Sequence, residues 1–432
     1  MNTLRIAGGE VLRPDGTVES ADVLIDTEGG EIVAVGRDVD AGDETLQAEG
    51  GFVIPGLVNA HTHVAMTLLR GFADDKPLDA WLQEDIWPVE AELTPEDVRV
   101  GAELGVLEMI KSGTTAFADM YFEVEKIAEA VDTGGLKALL GYTALTVGKD
   151  DDAASADVDR SIQVAEALDG AADGRIRTNV QPHSLTTVGE EYLREIAGAA
   201  REHDFPLHVH ANETTNEVDP IVDREGQRPI DWAEDLDLLQ DGTLLAHGTH
   251  LNDEEIALLA DRDVTVAHNP AANAKLASGI APVQKMLDAG VRVALGTDGP
   301  ASNNVLDLVQ AMRDAALVGK IADEYDAAAV SAETVVEMAT RNGAVALGFE
   351  DAGRVEPGAA ADIAVVDMEK PHLTPRHELV SHLVYAATGS DVRHTVCDGQ
   401  LLMRDREVVT MDEADVRERA EQRAFDLVER AT

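Results

Sequence analysis

Residues 56–63 read GLVNAHTH, an apolar stretch that ends in two histidines separated by one residue. Because alternate side chains of a β-strand point to the same side, this stretch as a strand would turn His61 and His63 toward one point. Further apolar stretches follow along the chain, and helical patterns lie between most of them. The eight predicted strands span residues 56–61, 114–120, 137–142, 176–183, 206–211, 244–247, 264–268 and 293–298.

Eight short strands with intervening helices are typical of a (β/α)8 TIM barrel, so we expect an α/β fold. The flanking regions differ, because their short alternating stretches are bounded by Asp-Gly and Gly-Gly pairs that are typical of β-hairpins. Thr410, with Glu413 three residues on, predicts the start of a final helix. The predicted domains are a small β domain built from both chain ends (1–55 plus 353–409), a metal-dependent hydrolase barrel (56–352) and a C-terminal helix (410–432).

The charge balance is strongly acidic, with 83 Asp and Glu against 34 Lys and Arg and a net charge of -49. Nucleic acids and anionic membrane surfaces bind basic faces, so neither is expected as a partner. The acidic residues are spread along the whole chain, and only 9 of the basic residues are lysine. This composition favours a halophilic protein, since high salt screens the repulsion between surface charges.

The cysteine count and the lengths of the apolar stretches exclude further classes of protein. Cys397 is the single cysteine, so an internal disulfide and a thiolate metal cluster are both excluded. The first residues lack the apolar segment of a secretory signal, and no apolar stretch approaches the ~18–20 residues of a membrane span. We therefore expect a soluble, cytoplasmic protein that does not bind membranes.

Histidines recur at the ends of the predicted strands, and the C-terminal strand ends carry the active site in a barrel of this type. A lone histidine is usually structural, but recurrence at so many strand ends favours a metal site. Two histidines of one strand, a distant histidine and an aspartate can hold one Zn²⁺ and leave a position for water. The residues at these ends are His61, His63, His183, His208, His210, His247, His268 and Asp298, of which His208 and His268 are expected to be structural.

Five segments together resemble a known family. Residues 51–63 (GFVIPGLVNAHTH), 208–214 (HVHANET), 296–299 (GTDG) and 353–362 (GRVEPGAAAD) are similar to the amidohydrolase superfamily. Residues 268–279 (HNPAANAKLASG) resemble its branch of triazine chlorohydrolases and adenosine-type deaminases. Within that branch the sequence looks like the 5-methylthioadenosine/S-adenosylhomocysteine deaminases, and the likeness covers nearly the whole chain.

The resemblance implies one Zn²⁺ per subunit, although Fe²⁺ or Mn²⁺ would suit the same nitrogen and oxygen donors. It also implies a role for each of several residues. The implied metal ligands are His61, His63, His210 and Asp298, the implied substrate contacts are Glu90, His183 and Glu213, and the residue implied to orient the attacking water is His247.

The implied reaction is hydrolytic deamination of an adenine nucleoside: 5'-methylthioadenosine, S-adenosylhomocysteine, 5'-deoxyadenosine or adenosine. It is a C–N hydrolysis of a cyclic amidine that releases ammonia. Residue chemistry agrees, because water on Zn²⁺ can lose a proton near neutral pH and Asp298 is placed to take it. Glu213, three residues after His210, can protonate a ring nitrogen, and His247 would stabilise the water or the developing oxyanion.

One position departs from the family pattern. The deaminases of this branch carry an arginine, between the positions of Glu90 and His183, that helps to hold the ribose side of the substrate. Residues 137–149 contain no arginine. Lys149 would take its place as a substrate contact, or Arg160 if its loop folds back. Lysine does not reproduce a bidentate guanidinium, so the preferred 5' substituent stays open.

Other interpretations of the same residues remain. The substrate could be another amino-substituted N-heterocycle, handled by a triazine chlorohydrolase or a guanine deaminase. A two-metal amide-ring hydrolase is disfavoured, because residues 176–187 contain no lysine to bridge two metals. A non-catalytic amidohydrolase-like scaffold is a different class, and the four filled ligand positions speak against it. We expect a small-molecule nucleoside as the substrate, since the acidic charge disfavours a nucleotide, and a homo-oligomer.

Overall fold

The computed structural model describes residues 2–322 and 325–431; residues 1, 323, 324 and 432, which the predicted domains include, lie outside the described residues. The strands fall into three groups along the chain. The N-terminal group is β1 (Thr3–Leu12), β2 (Val18–Asp26), β3 (Glu31–Gly36), β4 (Glu44–Gln47) and β5 (Gly51–Pro55). The middle group is β6 (Leu57–Thr62), β7 (Thr114–Tyr121), β8 (Lys137–Ala144), β9 (Ile176–Thr178), β10 (Gln181–Pro182), β11 (His208–Ala211), β12 (Leu244–His247), β13 (Thr265–His268) and β14 (Arg292–Leu295). The C-terminal group is β15 (Ile363–Asp367), β16 (Val392–Cys397), β17 (Gln400–Arg404) and β18 (Glu407–Val408).

Helices connect and cover the middle strands. The α-helices are α1 (Leu78–Trp81), α2 (Trp87–Glu90), α3 (Pro95–Lys111), α4 (Val124–Gly134), α5 (Asp151–Leu168), α6 (Glu190–His203), α7 (Thr215–Glu225), α8 (Pro229–Asp235), α9 (Asp253–Asp261), α10 (Pro270–Lys275), α11 (Val283–Asp288), α12 (Leu308–Ala322), α13 (Ala332–Met338), α14 (Arg341–Ala346), α15 (Leu379–Tyr385) and α16 (Glu413–Ala431). A π-helix spans Leu82–Ile86, and 3₁₀-helices span Val64–Leu69, Pro371–Leu373 and Gly389–Asp391.

Strands from both chain ends share one nine-stranded sheet. Its order is β18-β17-β16-β15-β5-β1-β2-β3, and β4 pairs with β1. The two ends of the chain meet where β15 runs antiparallel to β5, with Ile363 opposite Pro55. Buried apolar side chains such as Ile6, Val23 and Val365 form the core of this sheet. The alternating patterns at the two ends thus belong to one sheet, while the domain boundaries stay a prediction.

The middle strands form a curled parallel sheet of the TIM-barrel type. In the first parallel set, β7 lies between β6 and β8, and β8 also pairs with β9 and β10. Strands β11 to β14 form a second parallel set. A parallel bridge between Val180 and Leu207 connects the two sets. On the other side, the amide of Asp298 donates a hydrogen bond to the carbonyl of His61 at 2.9 Å. The predicted barrel is therefore confirmed as an architecture of this type.

The largest differences from the predicted strands lie in the fourth and the eighth. The fourth, 176–183, divides into β9 and β10. The eighth, 293–298, ends at Leu295, and Asp298 adopts a left-handed φ of 62° that does not fit a strand. The chain thus leaves the extended conformation just before the aspartate that the sequence placed at the strand end.

The predicted start of the final helix at Thr410 was wrong. Helix α16 begins at Glu413, and Asp412 accepts the amide hydrogen bond of Ala414 at 3.0 Å. The Thr410 hydroxyl instead donates to the carbonyl of Gly134 at 3.0 Å. Asp412 takes the capping position because a carboxylate directly before the first turn also complements the helix dipole.

Within the described parts of the chain, 2–322 and 325–431, none of the helices combines the length and the apolar character needed to cross a membrane.

Candidate active site

Four barrel strands bring the key side chains together at their C-terminal ends. His61 lies in β6 and His63 directly follows it, His210 lies in β11, and His247 is the last residue of β12. Asp298 lies three residues after β14. His247 and Asp298 both adopt left-handed backbone conformations, with φ of 76° and 62°. Such conformations are costly for residues other than glycine and concentrate at functional sites, where they aim a side chain.

The predicted metal ligands lie in two overlapping groups that share His61. The candidate ligand atoms of His61, His63 and Asp298 lie within 4.8 Å of one another, and so do those of His61, His210 and His247. Asp298 Oδ1 lies 3.2 Å from His63 Nε2 and 3.6 Å from His61 Nε2. The ring centroids of His61 and His210 are 4.9 Å apart, at a near-perpendicular angle. His61 thus belongs to two overlapping groups of candidate ligands, one with His63 and Asp298 and one with His210 and His247.

Backbone carbonyls orient two of these imidazoles. His63 Nδ1 lies 2.6 Å from the carbonyl of Met120, and His210 Nδ1 lies 2.7 Å from the carbonyl of His183. Because a carbonyl only accepts, each Nδ1 carries a hydrogen, and each Nε2 is the nitrogen left to bind a cation. His61 Nδ1 contacts His208 Nε2 at 3.0 Å, and the structural role of His208 stays a prediction.

The donor set fits a divalent cation. His61 Nε2 is buried and has no hydrogen-bond partner among the described residues. A buried nitrogen left in this way costs free energy unless a ligand satisfies it. Three imidazole nitrogens and one carboxylate oxygen match the preferences of Zn²⁺ and of other first-row divalent ions.

Burial and Asp298 together set the charges of the cluster. Burial lowers the pKa of His61 to about 4 and that of His210 well below its ordinary value. Burial alone would also lower the pKa of His63, but its hydrogen bond to Asp298 raises it to about 9. Burial alone would raise the pKa of Asp298, but the adjacent imidazoles of His61 and His63 hold it well below its usual range. Asp298 is thus ionised, and a cation bound here would replace the proton of His63.

Both carboxylate oxygens of Asp298 also accept hydrogen bonds. Its Oδ1 accepts the amide of Gly299 at 2.7 Å, and its Oδ2 accepts the hydroxyl of Ser302 at 2.8 Å. Both partners are buried or nearly so. These contacts hold the carboxylate with Oδ1 toward the imidazoles and Oδ2 toward Ser302.

Glu213 lies next to this cluster. Its carboxyl is 12% exposed, and Oε2 lies 3.8 Å from His247 Nε2. Its Oε1 accepts a long hydrogen bond from the Ser278 hydroxyl at 3.4 Å. Burial raises the pKa of Glu213, so this carboxyl keeps its proton to a higher pH than an exposed one. The sequence-predicted acid therefore has both the place and the protonation tendency that proton donation requires.

A cavity of about 560 Å³ opens above the cluster and includes the predicted substrate contacts. Glu90 Oε1 accepts a hydrogen bond from the Tyr121 hydroxyl at 2.6 Å, and burial raises the pKa of Glu90. His183 Nδ1 lies 2.8 Å from the Thr187 hydroxyl, and burial lowers the pKa of His183 to about 3. The volume lies within the range of ligand pockets.

The two candidates for the missing arginine lie in different surroundings. Lys149 lines the cavity, and its Nζ forms an ion pair with Asp157 Oδ2 at 2.6 Å. Arg160 forms an ion pair with Glu125 at 2.5 Å, and its guanidinium lies over the ring of Tyr142. The structure thus brings Lys149 to the cavity, while Arg160 is engaged by the helix before β8.

Two further histidines lie near the site. His268 is 1% exposed, burial lowers its pKa to about 3, and neither ring nitrogen has a hydrogen-bond partner within the described chain. His250 lies three residues after β12, and its Nε2 is 2.6 Å from the Ser278 carbonyl. Since Ser278 also contacts Glu213, His250 helps to fix the loop beside the acid.

Sequence reasoning missed three residues of the site. Tyr121 donates to Glu90, Asn273 contacts His247 Nδ1 at 2.8 Å, and Glu217 Oε2 accepts the backbone amide of Glu213 at 2.9 Å. Burial raises the pKa of Glu217 to about 8. Asn273 lies in the segment that carried the family likeness, but nothing in its spacing indicates its partner. Glu217 follows Glu213 by four residues at the start of a helix, which was the available signal.

Comparisons with known proteins agree with this geometry. A model of the amidohydrolase family matches residues 52–402. A curated relative from Haloarcula marismortui, a 5-methylthioadenosine/S-adenosylhomocysteine deaminase, is 65% identical over 432 residues and covers 100% of both chains. A 5'-deoxyadenosine deaminase from Methanothermobacter thermautotrophicus is 44% identical over 425 residues, covering 98% of this chain and 99% of the relative.

A solved structure gives the same result at the level of the fold. An adenosine deaminase from Xanthomonas campestris with bound zinc superposes with a TM-score of 0.93 at 36% sequence identity. The match covers 99% of this chain and 98% of that one.

Proposed function

Because the chain belongs to the amidohydrolase family, we propose that it is a metal-dependent hydrolase that deaminates adenine nucleosides and releases ammonia. It acts on a C–N bond, as do the deaminases to which it is similar along its whole length. The observation that carries the proposal is the grouping of His63, His210 and Asp298 around His61, with Glu213, whose pKa burial raises, 3.8 Å from His247.

We propose that His61, His63, His210 and Asp298 hold one divalent cation, and that this cation is Zn²⁺. The unpartnered, buried Nε2 of His61 supports this assignment, and the zinc in the similar adenosine deaminase agrees with it. Fe²⁺ or Mn²⁺ would suit the same donors. When bound, the cation supplies a Lewis acid that lowers the pKa of water at the site toward neutrality.

Asp298 would act as the base. Its pKa lies well below the usual range, so the carboxylate is ionised and can accept the first proton of the attacking water. The Gly299 amide and the Ser302 hydroxyl hold it in place for this transfer. Its position among the imidazoles keeps the base next to the point where water must be activated.

Glu213 would act as the acid. Burial raises its pKa and so favours the protonated carboxyl, and donation to N1 of the adenine ring would make C6 electrophilic. Water adds at C6 and loses a proton to Asp298. Asp298 then passes this proton to the amino group, and the C6–N bond breaks as ammonia leaves. The C6 hydroxyl gives its proton to the Glu213 carboxylate, which restores the acid and leaves a 6-oxo ring with hydrogen on N1. His247, 3.8 Å from Glu213, would hold the water in line with C6.

The cavity supports a nucleoside as the substrate. Glu90 is positioned to accept hydrogen bonds from ribose hydroxyls, because Tyr121 occupies only one of its oxygens. His183 lines the same cavity and is neutral, so it can exchange a hydrogen bond with the purine without adding charge. We propose Lys149 as the contact for the 5' substituent, with Asp157 holding its ammonium.

We also propose a homo-oligomer. Leu317 and Ile321 lie four residues apart on α12, and their side chains are exposed at 43% and 57%. Adjacent exposed apolar side chains on one helix face are typical of a surface that another protomer covers. Light scattering on the purified protein at high salt measures the mass, and a strictly monomeric protein would contradict the proposal.

A substrate panel tests the proposed function. Ammonia release and the fall in absorbance at the adenine maximum would be followed with adenosine, 5'-deoxyadenosine, 5'-methylthioadenosine and S-adenosylhomocysteine. The assay is run at high salt because of the acidic surface, on zinc-loaded protein and on chelator-treated protein as its control. We expect turnover of at least one nucleoside, lost on chelation and regained with Zn²⁺.

Three outcomes would contradict the proposal. Failure to deaminate any of the four nucleosides would remove the substrate class. Release of chloride from a chlorotriazine, or of ammonia from guanine, without activity on nucleosides would favour the related heterocycle hydrolases. A purified protein that holds well under one equivalent of metal would favour a non-catalytic scaffold.

A further inference from the structure

Asn273 is a buried residue of α10 that contacts His247. Its side chain is 2% exposed, and Oδ1 lies 2.8 Å from His247 Nδ1. The amide of Asn273 donates to the carbonyl of Asn269 at 3.1 Å, which fixes its place in the first turn of the helix. His247 itself is 1% exposed, so solvent cannot provide an alternative partner for its Nδ1.

The contact selects one tautomer of His247. A carboxamide oxygen only accepts a hydrogen bond, and a neutral imidazole has one N–H and one bare nitrogen. With Oδ1 at 2.8 Å, Nδ1 carries a hydrogen, and in the neutral imidazole Nε2 then presents its lone pair. The Nδ2 of Asn269 also approaches Nδ1, but at 3.4 Å, beyond the usual length of such a bond. The shorter contact therefore determines the proton position.

The bare nitrogen faces the site. His247 Nε2 lies 3.8 Å from Glu213 Oε2, and a ligand atom of His247 lies within 4.8 Å of those of His61 and His210. The attacking water must occupy the space between these groups and the substrate. An acceptor at this point can receive a hydrogen from the water, whereas a donor would instead stabilise negative charge on the substrate oxygen.

We propose that Asn273 is a positioning residue that holds His247 in its Nδ1–H form and thereby makes Nε2 an acceptor for the attacking water. This inference rests on the proposed deamination. It decides between the two roles that the sequence leaves open for His247, orientation of the water and stabilisation of the oxyanion, in favour of the first.

Asn273 is a poor choice on stability grounds alone. Its Nδ2 is buried and has no hydrogen-bond partner among the described residues. A buried amide donor without a partner costs free energy, and a leucine of nearly the same size would avoid that cost. The residue is therefore explained by what its Oδ1 does for His247.

Two variants of similar size separate this role from simple packing. Asn273→Asp keeps an oxygen acceptor opposite Nδ1, and Asn273→Leu removes it. In the zinc-loaded full chain with isotope-labelled histidine, nitrogen NMR reports which ring nitrogen carries the hydrogen. The His247 signals are assigned by their loss in His247→Asn.

In the native protein we expect His247 to carry its hydrogen on Nδ1 and none on Nε2. Asn273→Asp should keep this preference, and Asn273→Leu should lose it. With a nucleoside substrate, kcat of Asn273→Leu should fall about 10–100-fold, the usual cost of losing the partner that orients an active-site imidazole, with KM and metal content unchanged. Asn273→Asp should keep more of kcat than Asn273→Leu.

Several results would overturn the inference: a protonated Nε2 in the native protein, an unchanged tautomer in Asn273→Leu, or equal losses of kcat in both variants, which is the mark of a packing role. If Asn273→Leu does not fold, the native spectrum and Asn273→Asp still decide. The spectrum needs no substrate. A native protein with the expected tautomer but no deamination would therefore count against the proposed function and not against the placement of His247.

Discussion

The two ends of the barrel differ in how far their buried polar groups have partners. At the carboxyl end of the strands, His61 Nε2 is buried and unpartnered within the described chain, and Asp298 has a left-handed backbone. At the other end, Lys137 begins β8 and is fully paired. Its Nζ lies 2.9 and 3.1 Å from the two oxygens of Asp362 and 3.2 Å from Asp398 Oδ1.

The paired end holds two parts of the fold together. Lys137 belongs to the barrel, whereas Asp362 directly precedes β15 of the nine-stranded sheet, and their side chains are 6% and 1% exposed. Asp362 Oδ1 also accepts the amide of Asp398 at 2.7 Å. A buried ion pair with all its hydrogen bonds made fixes a junction, even where it adds little net stability.

The difference shows where chemistry is to be expected. Groups that are buried, strained or left without partners cost stability, so they persist where a ligand or substrate completes them. Groups that are buried and satisfied serve the fold. The two ends can therefore be separated by substitutions that alter one quantity, activity or stability, and leave the other unchanged.

The largest effect is expected from Asp298→Asn. It removes a proposed ligand and the proposed base together. Loss of an acid–base group alone costs about 10²–10⁴-fold in rate, and activity should fall by more than that. Asparagine tolerates the left-handed backbone of Asp298, so the melting temperature of the metal-free protein should fall less than in Asp362→Asn. Steady-state kinetics, metal analysis and thermal unfolding measure the three quantities.

Asp362→Asn is the matched control at the opposite end. The same chemical change leaves the buried ammonium of Lys137 with less compensation, so we expect a lower melting temperature and an unchanged kcat/KM in the folded protein. If both aspartates changed activity and stability to the same degree, the two ends would not differ in the way described.

Glu213→Gln should have the next largest effect. The amide cannot donate the proton that the carboxyl supplies, so kcat should fall about 10²–10⁴-fold while the metal content is unchanged. Glu217→Gln is the control, because Glu217 lies on the same wall and its raised pKa already keeps it largely uncharged near neutral pH. Equal losses in the two variants would remove Glu213 from its role as the specific acid.

Lys137→Met tests the paired end. Removal of one partner leaves Asp362 buried with its charge uncompensated, and breaking such a pair costs about 3–5 kcal/mol of the free energy of unfolding. Denaturant unfolding at constant high salt measures this loss, and kcat/KM of the folded protein should stay near the native value. Adding Asp362→Leu should restore part of the stability, since an apolar replacement of the whole pair is often neutral.

The sequence predicts much of the site because apolar stretches and the turn residues that follow them indicate where strands end. His61, His63, His210 and Asp298 each follow an apolar run, and parallel strands bring such ends together. Contacts between residues that are distant in sequence could not be predicted in this way. Asn273 meets His247 across 26 residues of chain, and Lys137 meets Asp362 across 225. Spacing along one strand or helix does not encode those pairs.

Helix starts show the same limit on a smaller scale. Thr410 and Asp412 are both good capping residues, and Glu413 follows Thr410 at the spacing of a capping box. The Thr410 hydroxyl is drawn instead to the Gly134 carbonyl of a distant helix, which leaves Asp412 to cap α16. A tertiary contact thus overrides a local pattern.

The smallest effect is expected from Lys149→Met. The ion pair with Asp157 is partly exposed, so its contribution to stability should be at most about 1 kcal/mol. If Lys149 contacts a carboxylate on the 5' substituent, KM for S-adenosylhomocysteine should rise about 10-fold, in line with a lost hydrogen bond to a charged group, while KM for 5'-methylthioadenosine stays the same. Equal changes for both nucleosides would show that Lys149 does not recognise this substituent.

The central claim is that this end of the barrel adds water to C6 of an adenine nucleoside and expels ammonia. The most direct measurement is a deamination in heavy-oxygen water, with mass spectrometry of the purine product and ammonia counted in the same sample. The account predicts one heavy oxygen in each product ring and one ammonia per turnover, both lost in Glu213→Gln. A product without heavy oxygen, or ammonia release without a 6-oxo purine, would contradict it.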